Sequence, residues 1–176
     1  MLVTLLKYKF SVSLFFGSLV LIHVLWEYFH GGVTSHHLLA SEEMPAISNW
    51  WGLLSVPVLT WITLTRIEVR RKNSSLQAGE FSAQVFRGFF GGLLFGLFLA
   101  MLWEFGKADY MPYVLLLPLV LALVFPIHRA ECLLGFVLGM TYTFGGVLPF
   151  LIAPLLLLGG LIIYKGVRMI YSALKK

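Results

Sequence analysis

The chain has 176 residues, of which 59% are hydrophobic and only 12% are charged, and its mean hydropathy is +0.89. Ordinary soluble domains are about 25% charged, so this composition excludes a soluble globular domain. The formal net charge is +5. No motif supports nucleic-acid binding, and we expect the basic residues to mark membrane topology and no nucleic acid to be a partner. Cys132 is the only cysteine, which excludes an intramolecular disulfide and a zinc site built of several thiolates.

Six apolar stretches approach the length of about 20 residues that a membrane-spanning helix needs. They cover 10–29, 48–66, 86–105, 111–127, 131–147 and 149–170. Gly145, Gly146 and Pro149 lie at the junction of the last two and favour a tight turn there. The sequence therefore predicts an all-α fold, a polytopic transmembrane bundle of six helices that forms a single integral membrane domain over residues 1–176.

The basic residues are concentrated at the termini and in alternate loops of this predicted bundle. They are Lys7, Lys9, Arg66, Arg70, Arg71, Lys72, Arg87, Arg129, Lys165, Arg168, Lys175 and Lys176. The other loops contain only Lys107, together with Glu42, Glu43 and Asp109. By the positive-inside rule we expect both termini to be cytoplasmic. The expected location is multi-pass in the inner (plasma) membrane of a bacterium, with membrane lipids as partners.

The third and fifth predicted helices resemble each other. Residues 96–106 align without gaps on residues 135–145 with five of eleven positions identical. A proline lies within each following apolar run, at Pro57, Pro118 and Pro154. These observations predict three helical-hairpin repeats, over 10–72, 86–130 and 131–172, because repeated hairpins are an established way to build membrane bundles.

Small residues recur at every fourth position of the same two helices. In the third helix they are Gly88, Gly92, Gly96 and Ala100, and in the fifth they are Gly135 and Gly139. Such a ridge lets helix backbones approach closely in lipid. The next step along the two ridges is Glu104 and Thr143, so we expect Glu104 to point toward another helix.

The first predicted helix carries polar residues on one stripe. His23, Glu27 and His30 are spaced i, i+4 and i+7, which places them within a sector of about 60°. An ionisable residue within a membrane span is a functional-site hypothesis by default. Glu27 and Glu104 are the candidate catalytic carboxylates, and His23, Glu27, Glu104 and Thr143 are predicted to line a polar cavity near the outer face.

The loop after the first helix adds two more histidines, His36 and His37. Imidazole and carboxylate groups are the usual ligands of zinc, iron and copper. The candidate ligands for a divalent transition metal are His23, Glu27, His30, His36 and His37. The alternative is a capped, hydrogen-bonded loop, with Ser48 or Asn49 capping the second helix.

Three functions fit these patterns. The first is transport or binding of a small solute or ion at the polar cavity, where carboxylates would take up protons or cations. The second is a membrane-embedded, metal-dependent enzyme that acts on a lipid or another apolar substrate. The third is an accessory subunit, in a homo-oligomer or a larger membrane complex, whose small-residue ridge packs on a partner.

Overall fold

The computed structural model of the protein describes residues 1–37, 43 and 45–175. Its helices are α1 (Leu2–Lys7), α2 (Lys9–Phe29), α3 (Gly52–Lys72), α4 (Ala78–Glu104), α5 (Met111–Leu115), α6 (Leu117–Leu121), α7 (Ala130–Phe144) and α8 (Val147–Leu174). Two three-residue strands, β1 (Ser35–His37) and β2 (Ala46–Ser48), pair antiparallel with Ser35 opposite Ser48. The all-α architecture is confirmed, and the short ribbon is an addition that the sequence patterns did not predict.

Four helices are long and apolar enough to span a membrane, as judged by length and composition. They are α2, α4, α8, and α3 together with the 3-10 turn Asn49–Trp51 that precedes it. These helices correspond to the first, third, sixth and second predicted spans. The described part of the chain therefore contains four candidate membrane-spanning helices, and the two remaining predicted spans have a different form.

The fourth predicted span, 111–127, divides into α5 and α6 followed by turns. Pro112 lies in the first turn of α5 and Pro118 in the first turn of α6, while Pro126 follows them. Each proline lacks an N–H donor and clashes with a preceding carbonyl inside a helix, which explains why the segment does not form one continuous helix. Pro57 and Pro154, in contrast, lie inside the continuous helices α3 and α8.

The fifth predicted span forms α7, which ends at Phe144 rather than continuing to 147. Its 15 residues extend about 22 Å, less than the about 30 Å of a bilayer core. Most of its side chains are buried, including Val137 and Met140. The turn after it begins at Gly145. Its φ of +65° lies in the left-handed region of backbone conformation, which favours glycine. This short helix is enclosed by its neighbours, where irregular backbone at its ends can be tolerated.

Helices α2 and α3 form an antiparallel pair. At one end of the pair Lys9 Nζ lies 2.9 Å from Glu68 Oε2. At the other end Asn49, just before α3, binds Glu27 near the end of α2. We call the end that holds Lys9 the arginine end, because Arg70 and Arg87 lie there, and the opposite end the ribbon end, after the strands β1 and β2.

Helix α7 also runs antiparallel to α3. The Thr63 hydroxyl donates to the carbonyl of Ala130 at 3.4 Å at the arginine end. At the ribbon end, Gly52 packs on the backbone of Gly146. Because α2 and α7 are both antiparallel to α3, they point in the same direction, as the first and fifth helices of the predicted bundle do.

The small-residue ridges of α4 and α7 pack directly on each other. A Cβ atom on Gly92 would overlap the carbonyl oxygen of Cys132, and a Cβ atom on Gly96 would lie 3.1 Å from the Cα of Gly139. Contacts that advance together along both helices show that α4 and α7 are parallel. The predicted close packing is thus present, and the partner of the α4 ridge is α7 of the same chain.

The buried side chains form two groups. The larger group surrounds α7 and includes Val24, Val56, Leu99 and Val137 from four different helices. The smaller group lies at the arginine end, where Leu2 and Leu6 of α1 pack with Leu64, Ile67, Phe81 and Val85. Helix α1 therefore brings the N-terminus to the arginine end, beside the loop between α3 and α4.

Candidate functional site

The ribbon end contains a buried carboxylate that has an amide partner. Glu27 is only 9% exposed, and Asn49 is 3% exposed. Asn49 Nδ2 donates to Glu27 Oε1 at 2.9 Å and lies 3.2 Å from Oε2. A neutral amide satisfies the hydrogen-bonding capacity of the carboxylate in part but leaves its negative charge uncompensated.

Two imidazoles complete what we call the polar cluster, defined as His23, Glu27, His36 and Asn49. His23 Nε2 lies 3.7 Å from Glu27 Oε1, and this nitrogen is buried without a hydrogen-bond partner in the described part of the chain. His36 Nε2 is likewise buried without a partner among these residues. Burial lowers the pKa of His36, and the charge of nearby Glu27 opposes this shift. The cluster thus combines one buried acid with two unsatisfied ring nitrogens.

The chain at the end of α2 folds so that the ribbon covers Glu27. Gly31 and Gly32 have φ values of +128° and +103°, which favour glycine and let the backbone reverse after α2. The amide of Gly32 donates to the Glu27 carbonyl at 3.0 Å. The amide of Asn49 donates to the Thr34 carbonyl, also at 3.0 Å, so the two chain segments around the ribbon are held together.

Helix α7 supplies the wall opposite α2. The ring centroid of Tyr142 lies 5.2 Å from that of His23, and the ring of Phe144 lies 5.9 Å from that of His36. A Cβ atom on Gly145 would overlap the side-chain oxygen of Asn49. A residue larger than glycine at position 145 would therefore displace the amide that binds Glu27.

Several residues predicted for this site lie apart from the polar cluster. His30 is exposed, its Nδ1 lies 2.8 Å from the Trp26 carbonyl, and its ring stacks on the indole of Trp26. His37 is exposed and pairs with Ala46 in the ribbon. Predicted residues thus divide into a buried group around Glu27 and a surface group on the same segment.

Glu104 and Thr143 also take separate positions. Glu104 is the last residue of α4 and is exposed rather than directed into a helix interface. Thr143 is half-buried in α7, and its hydroxyl has no hydrogen-bond partner among the described residues. The structure therefore brings His23 and Glu27 together but does not join Glu104 to them.

Within residues 1–37, 43 and 45–175, no three His, Cys, Asp or Glu side chains are placed so that they could hold a metal ion. The predicted set of His23, Glu27, His30, His36 and His37 therefore does not provide three such ligands at one point. Glu42 and Lys176, which entered the charge argument, lie outside the described residues. Of the alternative, a capped and hydrogen-bonded loop, the structure describes the cap: the Ser48 hydroxyl accepts from the amide of Trp50 at 3.5 Å, at the 3-10 turn that precedes α3, while residues 38–42 and 44 lie outside the described part.

A second buried carboxylate lies at the arginine end. Glu131 is 1% exposed, and both of its oxygens accept hydrogen bonds from Arg70, at 2.7 and 3.1 Å. The same guanidinium lies 5.2 Å from the ring centroid of Phe81. This ion pair compensates the charge of Glu131, so Glu27 and Glu131 differ in whether they have a Lys or Arg partner among the described residues.

Sequence reasoning did not identify Asn49 as the partner of Glu27 or Arg70 as the partner of Glu131. One signal for Glu131 is present in the sequence, because it lies four residues before Gly135 and so continues the ridge of α7 that packs on α4. For Asn49, the signal is an amide placed among apolar and aromatic residues at the start of a span.

The fold and the polar cluster describe a helical protein with four candidate membrane-spanning helices and a buried acidic site at one end. No model of a known protein family matches the chain, and no curated protein sequence or solved structure matches it at a significant level. Function is therefore argued from the geometry of the site.

Proposed function

We propose that the protein is a multi-pass membrane protein that binds and transports protons or a small cation, with Glu27 as the binding carboxylate. The observation that carries this proposal is that Glu27 is buried without a Lys or Arg partner in the described part of the chain. An acid inside a membrane bundle is costly unless it is paired or takes up a cation. A bound proton or cation would supply the missing charge.

The comparison with Glu131 supports this assignment. Glu131 is even more buried, but Arg70 neutralises it through two hydrogen bonds. A carboxylate held in this way has its charge compensated by the guanidinium and has fewer free oxygen lone pairs to offer a mobile ion. Glu27 has no such guanidinium within the described residues, and the buried ring nitrogens of His23 and His36 in the same cluster can accept or donate a proton.

The proposed orientation places both termini and the arginine end in the cytoplasm. Lys9 reaches Glu68 at this end, and the Tyr164 ring centroid in α8 lies 5.1 Å from that of His128 and 4.3 Å from the Arg168 guanidinium. The N-terminal, central and C-terminal basic segments therefore meet on one side of the bundle. By the positive-inside rule this side is cytoplasmic, which places the polar cluster toward the outer face.

The two other functions lack a specific observation in their favour. The enzyme hypothesis needs a metal site, and the described residues do not form one. The accessory-subunit hypothesis rested on the small-residue ridge of α4, which packs on α7 within the same chain. Transport or binding at Glu27 is therefore the function that we carry forward.

The test is flux through proteoliposomes that contain the purified protein and an entrapped pH-sensitive dye. A potassium gradient with valinomycin supplies the driving force for proton entry, and sodium or potassium counter-flow is measured in parallel. We expect flux with the wild type, loss of flux with Glu27→Gln, and wild-type flux with Glu80→Gln, an exposed acid at the other end of the molecule. Equal flux in Glu27→Gln and wild type, or no flux of any of these ions above empty liposomes, would reject the proposal.

A further inference from the structure

A cavity of about 470 Å³ opens at the arginine end, between α4, α6, α7 and α8. This volume lies within the roughly 300–1,000 Å³ that is typical of small-ligand sites. Its inner part is apolar, and Phe95 and Phe136 stack there with ring centroids 5.8 Å apart. Its polar side chains, Gln84, Arg87 and Arg129, all lie toward the arginine end. The cavity is therefore amphipathic along its length.

Neither arginine of this cavity forms an ion pair within the described residues. The Arg129 side chain is half-buried and its guanidinium forms no hydrogen bond there, whereas Arg87 Nε donates to the Ala83 carbonyl at 3.3 Å. Burial and the nearby charge of Arg70 lower the pKa of Arg129, and the charge of Glu131, which Arg70 already binds, opposes this shift. An anion bound at these guanidinium groups would offset the cost of burying the charge of Arg129 and the repulsion from Arg70.

Three other basic residues at the end of α3 have partners. Arg70 binds Glu131, and Lys72 Nζ lies 3.5 Å from Glu68 Oε1. Arg71 donates to the Leu76 carbonyl at 3.0 Å. Among the residues that line the cavity, Arg87 and Arg129 supply the positive charge next to its apolar surface.

We propose that this cavity is a binding site for an anionic phospholipid, with one acyl chain between α4, α6 and α8 and the headgroup phosphate on Arg87 and Arg129. Arginine binds phosphate oxygens through paired N–H donors, and basic pockets between membrane helices on the cytoplasmic side recognise anionic headgroups. The site is separate from the polar cluster and does not depend on transport by Glu27, but the cytoplasmic location of the arginine end rests on the orientation given with the proposed function.

Gly91 offers a substitution that fills the cavity without disturbing the helix packing. It lines the cavity, and a Cβ atom built on it would meet no other atom within 4 Å. Gly91→Leu therefore places a side chain where the acyl chain would lie. Gly166 in α8 is equally open but does not line the cavity, which makes Gly166→Leu the matched control.

The experiment is native mass spectrometry of the detergent-purified protein with dioleoyl phosphatidylglycerol, dioleoyl phosphatidylcholine or inorganic phosphate. We expect the wild type to bind phosphatidylglycerol at least about tenfold more tightly than phosphatidylcholine, because two charged hydrogen-bond donors recognise the anion. Gly91→Leu should weaken phosphatidylglycerol binding by about tenfold or more, and Gly166→Leu should not. The double variant Arg87→Gln/Arg129→Gln should bind both lipids equally.

Two results would overturn the proposal. One is equal binding of the two lipids by the wild type. The other is that Gly91→Leu binds phosphatidylglycerol as tightly as the wild type and that inorganic phosphate displaces the lipid. This result would indicate a simple anion site without an acyl-chain pocket. The double arginine variant tests the headgroup contact independently, and its thermal unfolding midpoint, compared with that of the wild type, verifies that it is folded.

Discussion

Arg70 and Glu131 form a two-point ion pair with nitrogen–oxygen distances of 2.7 and 3.1 Å, although 61 positions separate them in the sequence. The side chain of Arg70 is 31% exposed, whereas that of Glu131 is 1% exposed. The pair therefore connects the solvent-facing end of α3 to the buried start of α7. Its removal affects the two partners unequally, because only Glu131 is fully removed from water.

Replacing Arg70 by glutamine should lower the stability of the protein strongly. The substitution leaves Glu131 buried without a counter-charge, and breaking a buried pair in this way costs about 3–5 kcal/mol. The double variant Arg70→Met/Glu131→Met should be closer to the wild type than Arg70→Gln. The measurement is thermal unfolding in detergent, with Lys72→Gln, which removes an exposed pair, as the control. A thermal unfolding midpoint for Arg70→Gln as high as that of Lys72→Gln would contradict the conclusion that Arg70 compensates the buried charge of Glu131.

Gly92→Ala should loosen the contact between α4 and α7. The added methyl group would overlap the carbonyl oxygen of Cys132, a backbone atom that can move only with its helix. Overpacking of this kind costs about 1–3 kcal/mol. Gly91→Ala is the matched control, because its methyl group would meet open space and alanine favours helix by about 1 kcal/mol. Equal unfolding midpoints for the two variants would show that the helices are not in close contact.

Stability should fall as the pH is lowered below 6.5, in part because of His36. Burial holds the pKa of His36 below its ordinary value of 6.5, so in this range the unfolded chain takes up a proton that the folded chain does not bind. The contribution of His36 to the free energy of unfolding is fully present above pH 6.5. It is lost progressively as the pH falls toward the lower pKa of His36 in the folded state.

The comparison that isolates this effect is the unfolding midpoint of wild type and His36→Gln between about pH 5 and 8. The variant should show a flatter dependence on pH. His128 has its pKa lowered by burial and by Arg129 and Lys165, so His128→Gln should flatten the curve in the same direction. Parallel curves for wild type and His36→Gln would show that the imidazole is not shielded from water.

The proposed orientation predicts which loops are accessible from outside the cell. In a Cys132→Ala background, Thr34→Cys places a thiol next to the ribbon and Ser75→Cys places one in the loop between α3 and α4, both at exposed positions. A membrane-impermeant maleimide should label Thr34→Cys in intact cells and Ser75→Cys only after permeabilisation. The reverse pattern would invert the orientation, and labelling of both in intact cells would mean that the intervening helix does not cross the membrane.

Prediction from the sequence was most accurate for the helices that consist of one long apolar run. Helices α2, α3, α4 and α8 each have 21 residues or more, and burial of apolar surface specifies such runs without information from the rest of the chain. The interruptions at Pro112 and Pro118 were visible in the sequence, but the prolines Pro57 and Pro154 are accommodated in continuous helices. The difference depends on packing around each proline, which the sequence does not display.

The partners within the candidate site were harder to predict. The spacing of His23 and Glu27 placed them on one face of α2, and the structure has them adjacent. The sequence patterns also grouped Glu104 with Glu27 in one polar cavity, yet it is Glu27 that receives Asn49 from the segment before α3. Spacing within one helix determines a face, but it does not determine which residue from a distant segment meets that face.

The position of α7 in the chain also affects how the protein is assembled. This helix fills the centre of the bundle, but it begins at Ala130, after α2, α3 and α4 have been synthesised. Until it emerges from the ribosome, the glycine ridge of α4 lacks the helix that packs on it, and Arg70 lacks its carboxylate partner. The first 129 residues should therefore remain a loosely associated set of helices, open to membrane chaperones and proteases, and a single late segment completes the fold.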